Sequence, residues 1–272
     1  MSNGNGSKWS DLSVRVISAL VLIPVAIAAV WFGGYWYSVF IILMGIMVAR
    51  EWTNIVHDND ERQFLFHVAA ALIAGTISLG EISFLLIPWL ASLGCTLLSR
   101  KSWTVWKVIG VPYVALPILA FMVLRSDPNW GLKAIIWCMA IVWTADTAAY
   151  FAGRIIGGPK LAPKLSPKKT WAGLGGAVVG AALASMVFSY FNALAYWPLA
   201  ALAAQFALAE QAGDILESAV KRHHNIKDSG NLIPGHGGVL DRVDGLLAVV
   251  FIAAVMGYVH YAPNPAMGLL NW

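Results

Sequence analysis

The chain has 272 residues, of which 59% are hydrophobic and 12% charged, and it carries a formal net charge of +4 with a mean hydropathy of +0.69. Soluble domains carry roughly a quarter charged residues, so a chain this poor in charge is excluded from that class and reads as an integral membrane protein. Its apolar runs are long and lack the ~10-residue alternating segments of outer-membrane strands, which selects an all-α polytopic bundle over a barrel. Thirteen Trp fit belts at the membrane interfaces. Cys95 and Cys138 lie in separate apolar runs without metal-like spacing and read as packing residues.

Residues 1–11 are polar and rich in Gly and Asn, the composition of a flexible tail. About nine spans follow, near 14–32, 35–49, 64–80, 82–98, 108–124, 132–152, 171–194, 196–217 and 243–262. Ala26-Ile27-Ala28 is similar to a signal-peptidase site, but the apolar run continues through Trp31 and Phe32, so the first span is read as an uncleaved anchor. No linker is long enough to divide domains, and 1–272 reads as one membrane domain. In the seventh span, Gly176 and Gly180 form a G-x-x-x-G step, read as a face for close helix approach. A nucleotide-binding glycine loop would need a preceding strand and a following G-K-[ST].

With nine spans and a cytoplasmic N-terminus, sixteen of the 18 Lys and Arg fall on the cytoplasmic side. Only Arg125 and Lys133 fall outside, as the positive-inside rule requires. A miscount of one span would scramble this bias. Segments 153–170 and 221–242 therefore face the cytoplasm together.

Half of the 14 acidic residues lie between Asp146 and Asp244. Along the end of the eighth span, Glu210, Asp214, Glu217 or Ser218, and Lys221 share one helical face. Acids at membrane depth are costly unless they face protein, water or a cation. Pairing with Lys221 or Arg222 at a solvated helix end is the plain alternative. After Arg222 the chain turns polar and Gly-rich; bare amides in turns such as Gly237-Gly238 can form anion-binding concavities. The His223-His224 pair suits a helix end better than a metal site. Asp241 and Asp244 open the last span, either as helix-start acids or as carboxylates returning to the level of Asp214, where two could hold Mg²⁺. Asp146 shares a side of the sixth span with Thr147, Tyr150 and Arg154. The lysines after it, with Lys168 and Lys169 beside a helix start capped by Ser166 or Thr170, make either a phosphate site or a basic loop on anionic lipid. No G-x-S-x-G elbow, Walker loop or H-E-x-x-H occurs. The chemistry suggested is phosphoryl or nucleotidyl transfer to a lipid.

The run Ser218-Ala219-Val220-Lys221-Arg222, then Lys227-Asp228, then Pro234-Gly235-His236-Gly237-Gly238 through Asp241-Arg242-Val243-Asp244 resembles the signature of the phosphatidate cytidylyltransferases, or CDP-diacylglycerol synthases. Asp146-Thr147 and Ser166-Pro167-Lys168-Lys169-Thr170-Trp171 resemble the same family's preceding segment, so residues 143–245 read as the active-site half. The resemblance implies that CTP and phosphatidic acid give CDP-diacylglycerol and pyrophosphate with Mg²⁺. By it, Asp214 and Asp241 carry the metal, with Asp244 and Asp146 near it. Lys221, Arg222, Lys227, Lys168 and Lys169, with Arg242, contact phosphates, and Ser218 and His236 orient the site. A bacterial form in the inner (plasma) membrane, with its active site facing the cytoplasm, is implied. A homodimer is a family expectation, and no nucleic-acid partner is expected.

Two rivals fare worse. The CDP-alcohol phosphotransferase pattern is partly mimicked by Asp241-x-x-Asp244-Gly245-x-x-Ala248, but Val249 stands where its Arg belongs and no acid follows Asp244. A transporter using intramembrane acids predicts internal repeats and charges spread over several spans, and neither is seen.

Overall fold

A computed structural model describes residues 6–77, 79–98, 104–233, 235 and 237–272. Ten α-helices dominate it: α1 (Gly6–Phe32), α2 (Gly34–Val56), α3 (Glu61–Ala74), α4 (Leu86–Leu98), α5 (Val105–Arg125), α6 (Gly131–Ile155), α7 (Trp171–Asn192), α8 (Tyr196–His223), α9 (Leu240–His260) and α10 (Pro265–Leu270). A 3₁₀ turn, Leu79–Leu85, leads into α4. The expected tail lies outside the described residues as far as residue 5, and from Gly6 the chain is helical.

Six segments are long and apolar enough to cross a membrane among the described residues: Gly34–Val56, Gly80–Leu98, Val105–Arg125, Gly131–Ile155, Trp171–Asn192 and Leu240–His260. The protein is thus an all-α polytopic membrane protein. The other three expected spans coincide with α1, α3 and α8. In α1 the apolar helix counted is Leu20–Phe32. At 14 residues α3 reaches only ~21 Å, against a hydrocarbon core of ~30 Å. α8 has length enough, with 28 residues, but its second half is charged.

The core is built from interior faces of α2, α5, α6, α8 and α9, with Tyr37, Trp52, Trp137 and Phe206 among the largest fully buried side chains. Trp31, Trp36, Trp143, Trp171 and Trp197 are exposed, as belt residues would be. Cys138 is buried, and neither cysteine is paired.

Two features position the site. The segment between α6 and α7, expected as a loop, contains an antiparallel hairpin: β1 (Lys160–Ala162) pairs with β2 (Ser166–Thr170) through Lys160↔Thr170 and Ala162↔Ser166. Its end runs directly into α7. Next, α7 packs against α6 through small residues: a Cβ on Gly176 would meet Ala152 Cβ and Ala148 O, and one on Gly180 would meet Ala148 Cβ. The G-x-x-x-G step is a packing face, and it brings β2 close to the Asp146 end of α6.

Candidate active site

The sequence starts α7 at Thr170, not Ser166. Thr170 is the N-cap and its hydroxyl accepts from Gly173 N at 3.0 Å, whereas Ser166 lies in β2 opposite Ala162. Lys169, one residue before the cap, therefore points from the strand toward α8. Its Nζ lies 2.6 Å from Asp214 Oδ2 and donates to Gln211 Oε1 at 2.8 Å. Gln211 in turn donates to Glu210 Oε2 at 2.8 Å, so the 2%-exposed Glu210 has a partner.

A second cation sits farther along α8. Lys221 Nζ lies 2.8 Å from Glu217 Oε2, one turn back, and 2.7 Å from Asp241 Oδ1 on α9. Asp241 is engaged beyond that pair, because its other oxygen accepts from Ser229 N at 3.0 Å and Gly238 N at 3.2 Å. This closes the loop between α8 and α9 onto the first turn of α9. Of the acids on this face of α8, Asp214 pairs with Lys169 from β2 and Glu217 with Lys221 of α8 itself, while Glu210 accepts from Gln211. Ser218 donates to Asp214 Oδ1 at 3.4 Å.

Two cavities adjoin here and share Asp146 and Asp214 as a common wall. The first, of about 320 Å³, is bounded by α6, β2 and the start of α7, with Arg154, Lys168, Lys169 and Thr170 among its lining groups. The second, of about 360 Å³, is lined by Glu210, Glu217, Lys221, Asp241, Arg242 and Asp244. One chamber thus presents cations and a helix N-terminus, a setting for anionic oxygens. The other presents mainly carboxylates, a setting for a cation.

Asp214, Glu217 and Asp244 each offer an oxygen, all within 4.8 Å of one another, and Glu217 Oε1 is buried with no hydrogen-bond partner. Three carboxylates with an orphaned oxygen suit a hard divalent cation such as Mg²⁺. The residues present therefore fit a metal, with Glu217 joining Asp214 and Asp244. The carboxylate of Asp241 is held by Lys221 and two backbone amides.

The remaining expected residues separate. Arg222 donates to Ile226 O at 2.8 Å and stabilises the turn after α8. Lys227 is exposed and lines neither cavity. Gly237 has a φ of 85°, a left-handed conformation suited to Gly, and its carbonyl accepts from Ile233 N at 2.9 Å. The Gly238 amide is directed to Asp241. His236 lies outside the described residues.

Sequence reasoning leaves Glu217 open and does not single out Glu51. Glu217 was ambiguous because helical spacing puts both it and Ser218 near the Asp214 face. Glu51 gave no signal, because an Arg-Glu pair at the end of an apolar run reads as an ordinary interfacial pair. It is 1% exposed and accepts from Ser229 Oγ at 3.0 Å, Val239 N at 2.9 Å and Leu240 N at 2.7 Å.

A model of the cytidylyltransferase family matches residues 13–260. A phosphatidate cytidylyltransferase of Brucella suis is 37% identical over 260 residues, covering 94% of this chain and 96% of the relative. Proteins of the same name from Rickettsia bellii and Haemophilus influenzae are 34% and 32% identical, each over 88% of this chain and over 87% and 96% of their own lengths.

Proposed function

Because the chain belongs to the cytidylyltransferase family, we propose that it transfers the cytidylyl group of CTP to phosphatidic acid, giving CDP-diacylglycerol and pyrophosphate. The observation that carries this reading is the pair of adjoining chambers, one cationic and one acidic, divided by Asp146 and Asp214 at the end of a membrane bundle. A reaction between a triphosphate and a lipid phosphate needs both environments side by side.

A phosphatidate oxygen attacks the α-phosphorus of CTP, the bond from that phosphorus to the bridging oxygen breaks, and pyrophosphate leaves with its electron pair. The attacking phosphate is already anionic, so no side chain has to remove a proton, and the carboxylates are better suited to holding a cation. Asp214, Glu217 and Asp244 would hold Mg²⁺, with Asp241 and Asp146 beside them; when bound, the ion neutralises charge on the reacting phosphates. Lys169 and Lys168, with the start of α7, receive phosphate oxygens in the first chamber. Lys221 orients Glu217 and Asp241, and Arg242 adds a cation to the second. Ser218 steadies Asp214. Lys227 and Arg222 line neither chamber, and we assign them to meeting the phosphates of a substrate as it enters.

The distribution of Lys and Arg supports a nine-span arrangement with a cytoplasmic N-terminus, in which α1, α3 and α8 also enter the bilayer and both chambers open to the cytoplasm. CTP then arrives from solution and phosphatidate from the adjoining leaflet of the inner membrane.

The test is formation of a labelled liponucleotide by the purified protein from CTP and phosphatidate, with and without Mg²⁺. Pyrophosphate released in step with liponucleotide, and only with the metal, is the expected result. No pyrophosphate under those conditions would sink the proposal.

A further inference from the structure

Val239 stands at the N-cap of α9 and offers no side-chain cap, so the first amides of that helix need an acceptor from elsewhere. Glu51, from α2, supplies it. Its two oxygens take Val239 N, Leu240 N and the Ser229 hydroxyl, which places a carboxylate at the positive end of the α9 dipole. The approach is close enough to restrict the loop: a Cβ on Gly230 would lie 2.9 Å from Glu51 Oε1, and one on Gly238 would lie 2.6 Å from Glu51 Oε2.

The same short segment is held from its other side by Asp241, which takes the amides of Ser229 and Gly238. Ser229 is thus bound twice, through its hydroxyl to Glu51 and through its amide to Asp241. Asp244 follows one turn later on α9, facing Asp214 and Glu217 of α8. Where α9 begins therefore decides where two of the site's carboxylates stand.

We propose that Glu51 is a positioning residue for the reaction: by fastening Ser229, Val239 and Leu240 it sets the start of α9, and so the placement of Asp241 and Asp244 against α8. It lines neither chamber, and its hydrogen bonds go to this loop and the start of α9. The inference rests on the cytidylyltransferase reading of the site and extends it to the N-terminal half of the chain.

The test compares the full-length wild type with Glu51→Gln, Glu51→Asp and Ser229→Ala in detergent or lipid discs. It reads backbone amide exchange and steady-state turnover. Glu51→Gln turns one acceptor oxygen into a donor facing other donors. Faster exchange confined to 229–241 is expected, with kcat down roughly 10²-fold, the scale of an ångström's misplacement, and KM for CTP changed less than about threefold. Glu51→Asp keeps the charge and recovers part of the rate. Ser229→Ala removes one of the three donors and shifts both readouts less, in the same direction; if Glu51→Gln does not fold, Ser229→Ala decides. An unchanged kcat overturns the proposal. So does faster exchange spread over α6 and α7, which marks general packing, or a raised KM with kcat intact, which marks direct substrate contact. Absence of turnover in the wild type would overturn the cytidylyltransferase reading instead, and the exchange pattern would still decide whether Glu51 holds α9.

Discussion

Lys221 is the side chain whose loss has the widest consequence, because it pairs with both Glu217 and Asp241, at 2% and 11% side-chain exposure. Removing one member of a buried ion cluster leaves uncompensated charge and costs about 3–5 kcal/mol. Lys221→Met should therefore lower the thermal unfolding midpoint in detergent as well as activity. Lys169→Met should affect turnover more than stability, because its partner Asp214 is 32% exposed and water replaces part of the lost interaction. The three carboxylates that fit a cation separate from Asp241 in the same way. Asp214→Asn and Asp244→Asn should each cut turnover by roughly 10²-fold or more, the scale of losing one preorganised electrostatic group. Both should also weaken Mn²⁺ binding seen by electron paramagnetic resonance, with the fold intact. Asp241→Asn should cut turnover as well, but with a loss of stability, since Asp241 also anchors Ser229 and Gly238. Of these groups, Asp146, Asp214, Asp241, Asp244, Lys169 and Lys221 could be picked out from the sequence, because acids and lysines are conspicuous in so apolar a chain. Glu51 could not, since two of its three partners are backbone amides some 190 residues away, and no side-chain pattern encodes those.

At the level of elements, the site depends on how closely α6 and α7 approach. Gly176→Leu would drive a side chain into Ala148 and Ala152, and overpacking of this kind typically costs about 1–3 kcal/mol. It should also separate Lys169 from Asp214, so activity should fall further than stability alone explains. Thermal melts run beside turnover on the same preparation check this. The G-x-x-x-G step announced that face because small residues at such spacing let membrane helices approach closely. The β1–β2 hairpin was not announced: Pro163, Pro167 and four lysines look like an irregular loop, and the strands that pair are only three and five residues long. The close of α2 carries a pH response. Burial, with His67 and Lys107 nearby, holds the His57 imidazole down to about 3, against ~6.5 when unfolded. The folded state favours the neutral ring, so the stability contributed above about pH 6.5 is lost as pH falls toward 3. His57→Gln should flatten the fall of the melting midpoint across that window.

For the molecule as a whole, orientation is the property most directly tested. With a cytoplasmic N-terminus, a single Cys at Lys164 in an otherwise Cys-free protein should react with a membrane-impermeant maleimide in inside-out vesicles. One at Asn129 should react only in right-side-out vesicles, and the reverse pattern would overturn the arrangement. Membrane class and helical architecture were legible from hydropathy, since apolar length is what a bilayer selects. Span number was less so: α3 is short and α8 is charged along its second half, so length and composition separate six spans cleanly among the described residues and leave three expected ones to be placed by charge distribution. The junction between Glu51 and the start of α9 also orders events during synthesis. Glu51 and Leu240 are 189 residues apart, so at roughly 5–20 residues per second the two leave the ribosome about 10–40 s apart. Through that interval the early carboxylate waits without its amides, and the centre closes only when the last long helix arrives. A chain released before α9 would lack Asp241 and Asp244 as well as the two amides that Glu51 holds, so on the proposed reading it should insert without turning over.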